Sequence, residues 1–482
     1  MDGGSDTRVG LSPLFCAPEE RRTLDDLLTA RLDAALRRVA QGSVVPDQDT
    51  QRFRRELQAF DFDAARPLPD LLDWAIAALE HGVVHMTHPR YFGLFNPAPG
   101  YASECAERIV AAFNPQLASA TTSPAAVAIE AHVLRAVGLR AGLREAKGHF
   151  TSGGSEANFA ALTCALTNAD ASFADDGARA FAGRPTVYVS AEAHLAWYKI
   201  LHQSGLGRAS LRLIDTDPQG RIDTGALARA IAGDTARGHV PVMLVATAGT
   251  TGAGAIDPLA ACAAIARDAG VWFHVDAAWG GALIAAEPRS TLLAGIERAD
   301  SLTIDAHKWF ATTMACGMFL TPHGSVLDRA FHVAPAAASF MPSNVAGRDP
   351  YVTSAQWSRR FLGLRLFLSL AAVGWDGYAR HVAHAIGLAS LLRDVLETQG
   401  WSVVNSSELA VLCVLPPPGF ADPRAIADTV VSSGVAWVTT TMLRGQCALR
   451  VCITNGQTTR NDILILAGAL HDAGRPNLSR SA

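Results

Sequence analysis

Two apolar runs in the middle of the chain each end abruptly on charged side chains, and that pattern leaves few folds open. Residues 271–281 read VWFHVDAAWGG, with Asp276 closing the apolar part; residues 301–310 read SLTIDAHKWF, closing on Asp305, His307 and Lys308. Both runs have the length and composition of buried strands. Residues 288–298 between them read as a helix, which makes the segment a strand–helix–strand unit. Such a crossover sets the two strands parallel and their carboxyl ends on one edge of the sheet. Asp276 and Lys308 therefore face one crevice, the place where open α/β sheets bind ligands.

Lys308 lies just past a buried strand, between His307 and Trp309, where an ammonium pays a desolvation penalty. A Lys that gives up its proton there is the kind that bonds an aldehyde covalently. A Lys that snorkels to the surface is the plainer reading, and a third stretch weighs against it. Residues 151–158 read TSGGSEAN and lead into FAALTCAL, which has helical spacing. Gly153 and Gly154 allow close backbone approach, Ser155 is expected as the N-cap, and the N–H groups of the first turn attract an anion. A Gly-Gly-Ser turn alone is ordinary. An aldehyde-binding Lys, a buried carboxylate facing it and an anion cradle together suit pyridoxal 5'-phosphate (PLP), whose pyridine nitrogen the Asp would keep protonated.

The surroundings repeat the same alternation. Residues 186–190 and 242–248 read as further strands, and residues 258–269 as a crossover helix between Thr251 and Asp276. The expectation is an α/β fold: a mostly parallel sheet with helices on both faces. Another strand follows Lys308 in the stretch MACGMFL. Residues 1–20 read as a loose leader without the apolar core of a signal peptide, and 23–40 and 68–81 as amphipathic helices. Residues 354–370 are expected as one long helix whose Arg359, Arg360 and Arg365 form a solvated or salt-bridged face. Beyond about 375 come a helix at 378–399, strands at 401–404 and 409–415, another helix and a strand at 449–453, a small α+β unit. The chain thus divides into an N-terminal helical segment (1–100), a large domain (101–375) and a small C-terminal domain (376–482).

DAHKW, HVDAAWGG and TSGGSEAN together give the chain its resemblance to the PLP-dependent group II amino-acid decarboxylases, which act on aromatic amino acids, glutamate, histidine or 2,4-diaminobutyrate. The resemblance runs from about residue 24 to about 470. It implies the aspartate-aminotransferase-like fold (fold type I) and a homodimer with the early helices packed across its interface. It implies as catalytic residues Lys308, His194, which would lie on the cofactor ring, and Asp276. Gly153, Gly154, Ser155, Thr251, Ala278, Asp305 and His307 would complete the cofactor site. Tyr91, Phe92, Phe95 and Asn96, in HPRYFGLFNP, would line the substrate pocket. Arg450 would grip the substrate α-carboxylate, an internal ion pair being the alternative. The aromatic wall favours an aromatic amino acid; Arg90 or Asn96 would serve an acidic or basic one.

The resemblance also implies a lid over residues 332–351 that closes over the partner subunit's site and carries a proton-donating Tyr. Here the nearest aromatic is Phe340, and no Tyr occurs before Tyr351. Phe has no hydroxyl to deliver a proton. In some relatives a Phe at that place accompanies aldehyde formation with oxygen consumed, which makes an aldehyde product the alternative to an amine; His194 argues for the amine.

Composition removes other classes. A net charge of −4 offers no basic footprint for nucleic acid. Eight Cys with no C-x-x-C pair read as reduced thiols of a cytoplasmic protein and give no metal site. No run reaches the roughly 18–20 apolar residues of a membrane span.

Overall fold

The computed structural model describes residues 12, 14–287, 289–333 and 349–476. The apolar runs form a seven-stranded sheet: β1 (Lys147–Thr151), β2 (Pro185–Ser190), β3 (Leu211–Ile214), β4 (Val240–Thr247), β5 (Trp272–Asp276), β6 (Ser301–Asp305) and β7 (Gly317–Thr321), in the order β1-β7-β6-β5-β4-β2-β3. The strands from β3 to β6 pair in parallel. β7 alone runs against both its neighbours. The loop 306–316 joining β6 to β7 holds no helix, and a parallel return needs about a dozen residues or more. Register pairs Thr247 with Asp276 and Asp276 with Thr303, so the carboxyl ends of β4 and β5 lie level and β6 runs on to Asp305 beside them.

Side chains alternate between the two faces of the sheet, and both faces are covered, which is why the strands read as unbroken apolar runs. On one face Val187, Val189, Met243 and Val245 pack with α6 (Gly154–Ala169) and Trp197 of α8 (Ala196–Gln203), past the short α7 (Phe173–Asp176). On the other, Tyr188, Leu244, Ala246, Leu302 and Ile304 share a core with α9 (Thr224–Ala236) and α10 (Leu259–Ala269). That second core continues into an antiparallel sheet of β8 (Ser402–Val403), β9 (Val411–Leu415), β10 (Thr439–Leu443) and β11 (Gln446–Cys452). The chain therefore has the expected mostly parallel central sheet with a small C-terminal α+β unit, the aspartate-aminotransferase-like arrangement.

The remaining helices frame this centre. α1 (Pro18–Gln41), α2 (Thr50–Gln58) and α3 (Leu68–Gly82) precede the sheet, α4 (Tyr101–Phe113) and α5 (Pro124–Arg140) lead into it, and α11 (Gly324–Phe331) follows β7. α12 (Gly363–Thr398), α13 (Pro423–Ser432) and α14 (Arg460–Gly474) complete the C-terminal part. Among the described residues no helix is long and apolar enough to cross a membrane. All eight cysteines are free thiols.

Several local readings need correction. α1 begins at Pro18, inside the stretch read as a loose leader, and α2 and α4 were not expected. Residues 288–298 are not an α-helix: short 3-10 turns at Arg289–Leu293 and Ile296–Arg298 make the crossover. Gly295 separates them with φ +104°, and a Cβ there would stand 2.3 Å from the Ala260 nitrogen, so the backbone turns where a helix would have to continue. Residues 354–362 are irregular, and α12 runs from Gly363 through the expected second helix, broken at Gly374 (φ 66°, ψ 177°). Its start is set from elsewhere in the chain. Glu130 of α5 accepts hydrogen bonds from the N–H groups of Leu362 and Gly363, both at 3.1 Å, and pairs with Arg359 at 2.5 Å. Arg359 and Arg365 are buried, 8% and 3% exposed. Arg365 and the half-exposed Arg360 both pair with Glu107, which makes this face salt-bridged.

Candidate active site

At the carboxyl edge of β4, β5 and β6 the strand ends surround a cleft of about 410 Å³, within the range of small-molecule sites. Gly153, Gly154, Ser155, His194, Thr251, Asp276, Ala278, Asp305, His307 and Lys308 line it, together with Phe95 and Asn96. The topology thus gathers residues 95 to 308 at one place. Tyr91, Phe92 and Arg450 are not among the lining residues. Phe92 is wholly buried in the main core, and Tyr91 stacks on Trp437 with ring centroids 6.2 Å apart. Phe340 lies outside the described residues.

Lys308 stands on the 306–316 loop, its amine 3.0 Å from Asp305 Oδ2 and its side chain 22% exposed. Ala311 and Ala315 in this loop hold φ +51° and +66°, costly for residues with a Cβ. Arg365 compensates by donating from Nη1 to the carbonyls of Met314 (2.7 Å) and Ala315 (2.9 Å). His307 Nδ1 accepts from the Cys316 N–H at 3.2 Å, which leaves a proton on Nε2, 3.8 Å from Asp305. Burial lowers the His307 pKa, with Asp305 opposing, so the neutral ring is favoured.

Asp276 is held at both oxygens: Oδ1 accepts from the Ala278 N–H at 3.1 Å and Oδ2 from the Asn158 amide at 2.8 Å. His194 Nδ1 accepts from the Ala196 N–H at 3.1 Å, which turns Nε2 outward. Ser155 is not the N-cap of α6. The helix begins two residues earlier than that cap would set it, at Gly154; Gly153 occupies the cap, and no side chain caps it. The Glu156 N–H donates to the Gly153 carbonyl at 3.1 Å, which leaves the N–H groups of Gly154 and Ser155 as those that could meet an anion. A Cβ on Gly154 would stand 2.9 Å from Asp305 Oδ2 and 3.3 Å from the Ala278 Cβ, so glycine keeps the cradle open.

Arg450 is 4% exposed. Its Nη1 donates to the Gly93 carbonyl at 2.7 Å, and its guanidinium carbon sits 4.8 Å from the ring centroid of Phe95. Nε and Nη2 are buried without a partner, and among the described residues Arg450 makes no ion pair. The alternative of an internal ion pair is therefore absent from this part of the chain. Phe95 in turn packs on Trp279 (centroids 4.3 Å), which lines the cleft beside it, and Trp279 stacks on the wholly buried Trp309 behind (5.4 Å, 8° between planes).

Sequence reasoning passed over Asn158 and Trp279, although both stand inside the quoted motifs, one turn into α6 and three residues past Asp276. Met314, also on the cleft wall, carried no sequence signal.

An uncapped helix start open to phosphate, a covalently competent amine and a doubly held carboxylate fit PLP. The chain matches the pyridoxal-dependent decarboxylase conserved domain over residues 54–414. It belongs to that family. This pyridoxal-dependent decarboxylase is 30% identical over 394 residues to an aromatic-L-amino-acid decarboxylase of Bacillus atrophaeus, covering 79% of this chain and 80% of the relative. It is 29% identical over 479 residues to an L-2,4-diaminobutyrate decarboxylase of Rhizobium meliloti (strain 1021), covering 95% and 93%. Among solved structures it is similar to the crystal structure of mouse CSAD, with TM-score 0.88, 25% identity and coverage of 95% and 100%. The decarboxylase is a PLP-dependent carboxy-lyase, and the relatives differ in the amino acid they act on.

Proposed function

We propose that this decarboxylase removes the α-carboxylate of an L-amino acid with an aromatic side chain and releases the amine. The observation that carries the substrate class is the wall of Phe95 and Trp279, backed by the buried Trp309. A planar side chain gains stacking and burial there. The acidic alternative needs a free cation; Arg90 does not line the cleft, and Asn96, which does, is a neutral amide that donates to Met314 Sδ. The basic alternative needs a free carboxylate. Glu156 is taken up by Ser152, which donates from N and Oγ at 2.7 Å, and by Gln356.

PLP supplies an electron sink for the bond broken at the α-carbon. The chain's own groups do the rest. Lys308 would hold the cofactor covalently, and Asp276 would present a fixed carboxylate to the pyridine nitrogen. His194, with Nδ1 occupied, holds or moves a proton at Nε2 on the cleft side. Arg450, behind Phe95 with Nε and Nη2 unpartnered, would supply the positive charge for the substrate carboxylate.

Anaerobic and aerobic assays of the PLP-loaded protein against all twenty amino acids test this, following carbon dioxide, amine, peroxide and aldehyde together. Amine and carbon dioxide from aromatic amino acids, without oxygen uptake, is the expected result. Peroxide with aldehyde would replace it with the oxidative reading attached to Phe340. Phe95→Ala should raise KM for the aromatic substrate about tenfold, since burying an aromatic ring is worth about 1.5–3 kcal/mol. An unchanged KM would remove the wall from substrate binding.

The reading includes a cytoplasmic homodimer. Leu36 (53% exposed), Leu79 (64%), Tyr101 (74%) and Phe113 (83%) on α1, α3 and α4 leave large apolar surface open on one chain, which a second copy would cover. Light scattering after gel filtration should give twice 50.8 kDa. A mass of one chain would overturn the dimer.

A further inference from the structure

Behind Asp276, a strip of polar side chains runs through the apolar layer between β5, β6 and α6. Trp272 Nε1 donates to Ser301 Oγ at 2.8 Å; Ser301 Oγ lies 2.8 Å from His274 Nδ1; His274 Nε2 lies 3.0 Å from Asn158 Oδ1; and the Asn158 amide donates to Asp276 Oδ2 at 2.8 Å. These side chains are between 0% and 6% exposed. Asn158 and Asp276 reach the cleft; Trp272, His274 and Ser301 do not.

The proton positions follow from the two ends. A carboxylate only accepts, so Asn158 turns its NH₂ to Asp276 and its carbonyl to His274, and His274 Nε2 must carry a proton. Thr303 Oγ1, 3.5 Å from the same nitrogen, faces that proton as well. At the far end an indole N–H only donates, so Ser301 Oγ accepts from Trp272 and its hydroxyl is left to donate to His274 Nδ1. A neutral imidazole, with one donor and one acceptor, satisfies both neighbours. Burial favours that form, pushing the His274 pKa down to about 4 against the opposing pull of Asp276. Every donor in the chain then points toward the carboxylate, and linked hydrogen bonds in a low-dielectric interior polarise one another.

We propose that Trp272, Ser301, His274 and Asn158 form a one-way hydrogen-bond relay that locks the Asp276 carboxylate and strengthens the donor it receives, and so positions it against the pyridine nitrogen of PLP. His274 and Ser301 are positioning residues for a group they never touch. The relay rests on the placement of Asp276 at that nitrogen.

The test uses the full-length protein, with ring-¹⁵N histidine NMR of the cofactor-free form, PLP affinity by titration and the visible absorbance of the loaded form as readouts. The expected result is a single neutral His274 tautomer protonated at Nε2. Asn158→Ala should weaken PLP binding about tenfold, the equivalent of one hydrogen bond to a charged group. Ser301→Ala, three bonds from the carboxylate, should leave the His274 proton on Nε2, where Asn158 accepts it, but weaken PLP about threefold on the same scale and shift the pH response of the absorbance band. A wild-type proton on Nδ1, or wild-type PLP affinity and absorbance in Ser301→Ala, would overturn the relay; if Asn158→Ala does not fold, these two readouts decide. Asp276→Ala separates the premises: wild-type PLP affinity there would sink the placement of Asp276 itself, whereas weak binding in Asp276→Ala with normal binding in Ser301→Ala would sink the relay alone.

Discussion

Replacing Lys308 with Ala abolishes the visible absorbance of the PLP-loaded protein and lowers turnover by about 10³-fold or more, the scale of losing a covalent and proton-transferring group. Lys308 is the only amine among the described residues that line the cleft, so no neighbour takes over its bond to the cofactor. The loop that presents it is rigid by construction. Asp305 holds the amine at 3.0 Å, the Lys308 N–H donates to the Asp305 carbonyl at 3.1 Å, and Arg365 clamps the far side through Met314 and Ala315. The substitution shortens a partly exposed side chain and leaves His307 Nε2 3.8 Å from Asp305, so the fold should survive, and PLP should remain bound non-covalently. Spectrophotometry with a decarboxylation assay on the same sample checks both halves. Full turnover in Lys308→Ala would dismiss the assignment.

Replacing Glu130 with Ala destabilises the protein by about 3–5 kcal/mol, because it strands a buried guanidinium. The Glu130 and Arg359 side chains are 3% and 5% exposed and 2.5 Å apart, and the same carboxylate caps the first N–H groups of α12. Two losses therefore coincide. Glu130→Gln keeps an acceptor for Leu362 and Gly363 but removes the charge, so the difference between the Gln and Ala variants reports the cap, typically about 1 kcal/mol. Denaturant unfolding of the three proteins measures it. A loss below about 1 kcal/mol for Glu130→Ala would mean that Arg359 finds another partner or reaches water. The effect should extend to the active site, since Arg365, the clamp on the Lys308 loop, sits in the first turn of the helix that Glu130 starts.

Much of the site was legible because its chemistry sits where strands end. An apolar run declares a buried strand by composition alone, and a charged residue closing it marks the sheet edge. That logic placed Asp276 and Lys308 in one cleft. TSGGSEAN announced an anion cradle by its two glycines, although the helix starts at Gly154 with no side-chain cap. The aromatic segment at 88–97 was read as one surface, yet only Phe95 and Asn96 face the cleft. Its residues do not alternate as a regular strand would, so periodicity could not say which of them point inward.

What the sequence determined by itself was local: the strand runs, the residues closing them, the cradle and the family they spell together. The partners across long separations came only with the tertiary structure. Glu130 meets Arg359, Asn158 meets Asp276, and Arg450 comes to rest behind Phe95 with two nitrogens unpaired. So did the reversal of β7, the start of α12 and the break at Gly295. The physical reason is that strand period is written in neighbouring residues, whereas a buried polar group takes whichever complementary atom packing brings within 3 Å. That choice belongs to the whole fold.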